Sequence, residues 1–266
     1  MLAQWCRRER LGQWSHGAVE RVIADLREPD EPKPEPIRYE VTASDVMWAE
    51  DGTGFGCGKR KQELLVVQDE HSRLKLNSSL VGGPAKSADV VSYLEAAFAR
   101  YGAPLVLKHD GDSIFHETAV ADLLDRHGVV PLTSPPYWPG YNGKTERGMR
   151  DIKSYERSMR KHGVRGSLRS RLDVTLQDLN EDRPRPVLRG RTAREAYAAG
   201  NDPLPDRRKF REKVDLEELD LLREARSRRA VGSARRRAIE NVLLRDGLME
   251  IVGHVSRDLS SGRVTE

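Results

Sequence analysis

The chain has 266 residues, of which 37% are hydrophobic and 33% charged, so it can bury a core beneath a strongly ionic surface. No segment has the length and apolar character of a membrane span, and the basic N-terminus has no apolar signal core, which argues against membrane-spanning and secreted proteins. Two cysteines, Cys6 and Cys57, without metal-finger spacing argue against a zinc-finger protein. We therefore expect a reduced, cytoplasmic chain.

The formal net charge of +4 is unevenly distributed along the chain. Residues 143–171 hold ten Lys and Arg against three Asp and Glu, and residues 207–237 hold twelve against six. Clustered Lys and Arg side chains attract a phosphate backbone and release its counterions. Two solvated helical faces would give the same pattern, so charge alone leaves both interpretations open.

The N-terminal part predicts a helix followed by a linker. Residues 12–27 carry Val19, Val22, Ile23 and Leu26 at helical spacing. The segment "EPDEPKPEPIR", residues 28–38, is rich in proline and charge and predicts an extended linker at a domain boundary.

The central part alternates between strand and helix patterns. The period predicts strands over 45–53, 63–70, 74–81, 105–110 and 129–134, and helices over 86–102, 116–128 and 142–162. The strand at 63–70 contains a continuous apolar run, "LLVV", which indicates burial on both faces. Three strands in hairpin-like order followed by alternating helices and strands predict a mixed α/β sheet covered by helices.

Beyond this part the pattern is mainly helical. Residues 172–200 predict a helix, a polar turn and a short helix, and the chain from 207 onward is rich in Arg and helix-prone. Two short apolar runs within 239–255, "VLL" and "LMEIV", could pair with each other or pack weakly.

Three acids lie at positions where α/β proteins typically form functional sites. Asp51 and Asp110 lie at the ends of predicted strands and Glu146 lies in the first turn of a predicted helix, with 58 and 35 residues between them. Taken singly, each is more typical of a turn or cap residue. Taken together, converging carboxylates would repel each other unless a hard cation such as Mg²⁺ or Mn²⁺ lay between them.

Five motifs in this order resemble the catalytic core of the DDE recombinases, which retroviral integrases and bacterial insertion-sequence transposases share. They are "MWAEDGT", "VVQDEHSR", "YGAPLVLKHDGDSIF", "PPYWPGYNGKTER" and "LNEDRPRPVLRGRTAREAY", within roughly residues 45–200. The 35-residue gap before the glutamate is typical of that family. The resemblance implies a ribonuclease H-like mixed five-stranded sheet flanked by helices, with helical N- and C-terminal extensions.

By that resemblance Asp51, Asp110 and Glu146 are the catalytic, metal-binding triad, holding Mg²⁺ or Mn²⁺, with two ions expected. Asp69 belongs to a motif that is normally structural, in which the acid helps to position Ser72 and Arg73. Glu50 should face away from Asp51, since side chains alternate along a strand. Where the family usually has Asp-Asn-Gly, this chain has Asp110-Gly111-Asp112, which adds a negative charge close to the site.

The helix after the loop is expected to cradle DNA. Offsets of +4 and +7 place Arg150 and Lys153 on the face of Glu146, where they could meet phosphates. Related integrases have basic residues at the same offsets. Trp138 could stack on a base or simply pack on the surface. The full predicted DNA-binding set is Trp138, Asn142, Lys144, Arg147, Arg150, Lys153 and Arg157.

The resemblance implies a transposase or integrase that cuts DNA at the ends of a mobile element and transfers the strand to target DNA. It implies DNA as partner, a homo-oligomer on DNA and a nucleoid-associated location. Two alternatives stay open: a catalytically inactive or truncated DNA-binding relative, and another ribonuclease H-like nuclease acting on RNA–DNA hybrids. The expected division is 1–38 as a helical remnant and linker, 39–200 as the core and 201–266 as a basic C-terminal region.

Overall fold

The computed structural model describes residues 37–56, 61–135 and 139–254. The chain divides into two compact units, and nearly all of the described residues belong to one of them, Arg38–Gly253. The helix predicted over 12–27, the linker before residue 37 and Trp138 lie outside the described residues. Among the described helices, none is both long and apolar enough to cross a membrane.

A five-stranded mixed sheet forms the centre of this unit. Its strands are β2 (Met47–Phe55), β3 (Gln62–Asp69), β4 (Lys75–Gly82), β5 (Val106–His109) and β6 (Val130–Thr133). Their order across the sheet is β4-β3-β2-β5-β6. Strands β2, β3 and β4 pair antiparallel in order, whereas β2, β5 and β6 run parallel, with a helix directly before β5 and another before β6.

Two helices cover one face of the sheet, α1 (Ser87–Tyr101) and α2 (Thr118–Arg126). Each is followed by a glycine with positive φ, Gly102 at 82° and Gly128 at 64°, where the chain turns back toward the sheet. The core on this face combines β-strand residues such as Trp48, Leu65 and Leu107 with apolar residues of both helices. Trp48 is fully buried and its ring lies 5.7 Å from that of Phe98.

The opposite face carries two further groups of helices. Near β2 and β3 lie α3 (Gly143–Lys161) and α4 (Leu168–Gln177), whose buried residues Met149, Ile152 and Leu172 pack against Phe55, Leu64 and Val66. Near β5 and β6 lie α6 (Arg207–Glu224) and α7 (Arg228–Arg245), which follow the short helix α5 (Ala193–Ala199). Phe210, Val214 and Val242 of these two helices pack in one cluster with Met47, Val106 and Leu132 of the sheet.

A separate two-stranded sheet joins distant parts of the chain. It pairs β1 (Ile37–Val41) with β7 (Met249–His254). The two apolar runs do not pair as strands, because Val242, Leu243 and Leu244 belong to α7 and "LMEIV" runs into β7. They do pack together, since Val242, Leu243 and Met249 share one core cluster. Val242 and Leu243 face the core on one side of a helix, a contact that two short apolar runs do not reveal.

The predicted fold class is confirmed: a ribonuclease H-like mixed five-stranded sheet flanked by helices. Each of the five central strands and three central helices lies within a few residues of its predicted range. The boundaries at 38 and 200 stay predictions. The helices beyond residue 200 pack directly on the sheet.

Candidate active site and nucleic-acid interface

Asp51 lies in the middle of β2, not at a strand end as expected, and Asp110 directly follows the neighbouring parallel strand β5. The register pairs Met47 with Val106 and Ala49 with Lys108, so its continuation by two residues sets Asp51 level with Asp110. Adjacent strands lie about 5 Å apart, which brings the two residues side by side where β5 ends. Asp51 is partly exposed and Asp110 is exposed.

Glu146 approaches these residues from the helix above the sheet. It lies exposed in the first turn of α3, one turn before Met149, which packs in the cluster that contains Val66. Val66 is the strand partner of Asp51, so this packing directs the start of α3 toward Asp51.

The three carboxyl groups interact electrostatically. Burial, together with the negative charges of Asp110 and Glu146, raises the pKa of Asp51 to about 6, against the Gly52 backbone N–H and Lys153, which lower it. That N–H donates to Asp51 Oδ1 at 2.8 Å. An acid whose pKa is raised by two neighbouring acids is in a site that favours a bound cation.

The donor set fits a hard divalent cation in chemistry. Among the residues that the structure describes, no three His, Cys, Asp or Glu side chains lie close enough, as they stand, to enclose a metal ion. Carboxylate oxygens are nevertheless the ligands that Mg²⁺ and Mn²⁺ prefer. Asp51 offers such oxygens from the middle of β2, Asp110 from the residue after β5 and Glu146 from the first turn of α3.

Glu50 faces the other side of the sheet, as the alternation predicts. It pairs with Val67 of the α1–α2 core, is 5% exposed and interacts with Tyr93 of α1. Burial raises the pKa of Glu50 well above its ordinary value, so the core favours its protonated form.

Asp112, the acid that departs from the family pattern, has a local structural role. Its side chain accepts a hydrogen bond from the backbone N of Ile114 at 3.4 Å and so caps the 3₁₀ helix Ser113–His116. Its own backbone N donates to Asp110 Oδ1 at 3.1 Å. Asp112 thus helps to hold the turn that carries Asp110.

The basic residues of α3 divide into free and paired groups. Arg147, Arg150 and Arg157 are exposed and Lys153 is half-buried, and none of the four forms an ion pair with a described carboxylate. The other acids of α3 are occupied, since Arg171 binds Glu156 at 2.9 Å and Arg183 and Arg185 each lie 3.7 Å from Asp151. A largely uncompensated basic face therefore extends along α3 from Glu146.

That face continues past the predicted residues. Lys153, Arg157 and Arg160 line a shallow groove together with Gly54–Gly56 at the end of β2. Arg160 was missed by sequence reasoning, although its position three residues after Arg157 could have indicated it.

Two other predicted DNA-binding residues have protein partners. Lys144 Nζ lies 2.8 Å from Glu40 Oε2 and 3.6 Å from Glu70 Oε2, and its side chain is 23% exposed. Asn142 Oδ1 accepts a hydrogen bond from the Ser134 hydroxyl at 2.8 Å. Their roles toward DNA stay predictions, and the structure assigns both residues contacts at the start of α3.

Glu70 is the functional candidate that sequence reasoning missed. Its side chain is 3% exposed and lies 2.9 Å from Lys108 Nζ. Burial raises the pKa of Glu70, but the charges of Lys108, Lys144 and Arg73 outweigh burial and hold the pKa at about 2. No local pattern marks this group, because its partners come from three separate segments of the chain.

Comparisons with solved structures give the same fold. No protein-family model matches the chain. A chain in the cryo-EM structure of a simian T-cell lymphotropic virus intasome in complex with the PP2A regulatory subunit B56 gamma matches with a TM-score of 0.59 and 19% identity, covering 67% of this chain and 64% of that one. This chain thus spans less than two thirds of that relative.

A second match is the HTLV-2 integrase catalytic core domain in complex with magnesium, in a trimeric form. It has a TM-score of 0.52 and 19% identity, and the match covers 59% of this chain and 99% of that domain. The dimeric form of the same domain matches with a TM-score of 0.50. At these identities the likeness establishes an integrase-like catalytic-core fold.

Proposed function

We propose that this protein is a DDE-type polynucleotidyl transferase, a DNA transposase or integrase that cleaves DNA at mobile-element ends and joins the strand to target DNA. The observation that carries the proposal is the electrostatic coupling of Asp51 with Asp110 and Glu146 beside an exposed basic helix. An acidic site next to a basic surface suits a reaction at a phosphodiester.

Each residue has a defined part in this proposal. Asp51, Asp110 and Glu146 hold Mg²⁺ or Mn²⁺, expected as two ions. When bound, such ions activate the attacking oxygen and stabilise the leaving oxygen of a phosphodiester. Arg147, Arg150, Lys153 and Arg157 bind phosphates and keep the DNA strand along α3.

The partner is DNA, and the expected working form is a homo-oligomer on DNA. The solved structures of similar fold include a dimeric form, a trimeric form and an intasome. Those assemblies belong to the proteins named and support self-association here by analogy alone.

Nicking of supercoiled plasmid in the presence of Mn²⁺ tests the proposal. The parent is compared with Asp51→Asn and Glu146→Gln, and with Glu217→Gln as a control, since Glu217 lies on α6 and pairs with Arg245. We expect activity in the parent and the control and none in the two site variants. A strand-joining assay with labelled DNA then distinguishes transfer from simple cleavage.

Two results would replace the proposal with an alternative. Equal background nicking in all four proteins, with no Mn²⁺ binding, would identify an inactive DNA-binding relative. Cleavage of RNA–DNA hybrids without strand joining would identify another ribonuclease H-like nuclease.

A further inference from the structure

A buried ion cluster connects the strand of Asp110 to the helix of Glu146. Glu70, just beyond β3, lies 2.9 Å from Lys108 Nζ, and both side chains are almost fully buried. The Thr145 hydroxyl donates to Glu70 Oε1 at 3.3 Å, and Lys144 Nζ lies 3.6 Å from Glu70 Oε2. One carboxylate thus contacts β5 and α3 together.

The contacted residues are immediate neighbours of the candidate ligands. Lys108 lies two residues before Asp110 and on the same face of the strand. Lys144 and Thr145 directly precede Glu146. A shift of Glu70 would therefore move the two supporting elements relative to each other.

The start of α3 depends on these contacts because its local cap is weak. Asn142 occupies the N-cap position but makes no side-chain cap hydrogen bond. Glu40 of β1 adds a second anchor, since it binds Lys144 and Arg73 at 2.8 Å each. Tertiary ion pairs thus take the place of a side-chain cap in fixing the helix N-terminus.

We infer that Glu70, with Lys108 and Lys144, is a positioning group that sets the spacing between Asp110 and Glu146 for a divalent cation. The inference rests on the proposed function, because it requires that these carboxylates bind a metal ion. Outer contacts of this kind orient metal ligands and typically change metal affinity by about 10- to 100-fold when removed.

The direction in which Lys144→Met changes Mn²⁺ affinity distinguishes a positioning role from a purely electrostatic one. Removal of a positive charge close to acidic ligands should strengthen cation binding if only electrostatics mattered. Loss of positioning should instead weaken it. We expect the Mn²⁺ affinity of Lys144→Met, measured by calorimetric titration, to fall by about tenfold.

Glu70→Gln and Glu156→Gln complete the experiment. Glu156 is a matched control, because it is also a buried, ion-paired carboxylate. It lies on α3 and binds Arg171 of α4. We expect Glu70→Gln to weaken Mn²⁺ binding by at least tenfold and Glu156→Gln to keep it, while thermal unfolding of the metal-free proteins reports stability separately.

The outcomes separate this inference from the proposed function. Unchanged or tighter Mn²⁺ binding by Lys144→Met, in a parent that binds Mn²⁺ and nicks DNA, would overturn the positioning role alone. Loss of DNA affinity with unchanged Mn²⁺ affinity would make Lys144 a DNA contact instead. A parent that neither binds Mn²⁺ nor nicks would overturn both.

Discussion

Ser72 donates two hydrogen bonds to the same carboxylate oxygen of Asp69. Its backbone N and its hydroxyl lie 2.7 and 2.6 Å from Asp69 Oδ1. The other oxygen, Oδ2, accepts from the backbone N of Asp45 at 2.9 Å. Asp69 is fully buried. These hydrogen bonds occupy both of its oxygens and hold the turn after β3.

Asp69→Ala should therefore act on stability. The substitution leaves three donors without their acceptor, and we expect the free energy of unfolding to fall by about 3 kcal/mol in urea titrations. The Mn²⁺ affinity of the folded variant should match that of the parent. Selective loss of Mn²⁺ binding at unchanged stability would instead make Asp69 a ligand.

Asp51→Asn should stabilise the metal-free protein at neutral pH. Burial, with Asp110 and Glu146, raises the pKa of Asp51 to about 6, so the stability that its protonated form contributes is present below the unfolded pKa and is lost as pH rises through about 6. Asparagine does not ionise. Unfolding in chelator at pH 4 and 7.5 should show the variant gaining about 2 kcal/mol over the parent. An equal difference at both pH values would contradict the raised pKa of Asp51.

Because of Lys75, the free energy of unfolding should rise from neutral to alkaline pH. Burial, together with the charges of Arg185, Arg73 and Arg183, lowers the pKa of Lys75 to about 7, against Asp151, which raises it. Because the folded protein favours the neutral amine of Lys75, its contribution to stability is full above the pKa of the unfolded chain and is lost as pH falls through about 7.

Lys75→Met removes this dependence. The parent should gain on the order of 3 kcal/mol relative to the variant between pH 6 and pH 10. Lys161→Met, at an exposed position of the same protein, controls for loss of one charge. Parallel stability curves for parent and Lys75→Met would show that the buried amine stays charged.

Arg150→Ala and Arg157→Ala should weaken metal-free DNA binding. Each is an exposed cation without a described carboxylate partner, and each should reduce the slope of log affinity against log salt by about 1. Fluorescence anisotropy with a short duplex measures this slope. Arg235→Ala is the control, since Arg235 already pairs with Asp215 and Glu218 at 2.5 and 2.9 Å. An equal effect of all three would indicate only a general charge effect.

Sequence reasoning predicted the central sheet well because its signals are local. The continuous apolar run Leu64–Val67 is buried on both faces as expected, and the glycines after α1 and α2 mark where those helices end. The alternation in β2 also predicted correctly that Glu50 and Asp51 face opposite sides.

What sequence reasoning could not predict depends on contacts between distant segments. The pairing of β1 with β7 and the ion cluster at Glu70 join residues far apart in the chain. The same limit applies to the basic window at 207–237. Several of its charges bridge α6 and α7, as Arg235 does, so a net charge did not reveal which cations are free.

The opposite orientation of Glu50 and Asp51 has a consequence for tolerance to insertions. Strand phase decides which of two adjacent acids reaches the site and which enters the core. An inserted or deleted residue in the first half of β2 would exchange them and bring a longer carboxylate to the side that faces α3. The number of residues in β2 before Asp51 must therefore stay fixed, even where the identity of individual residues could vary.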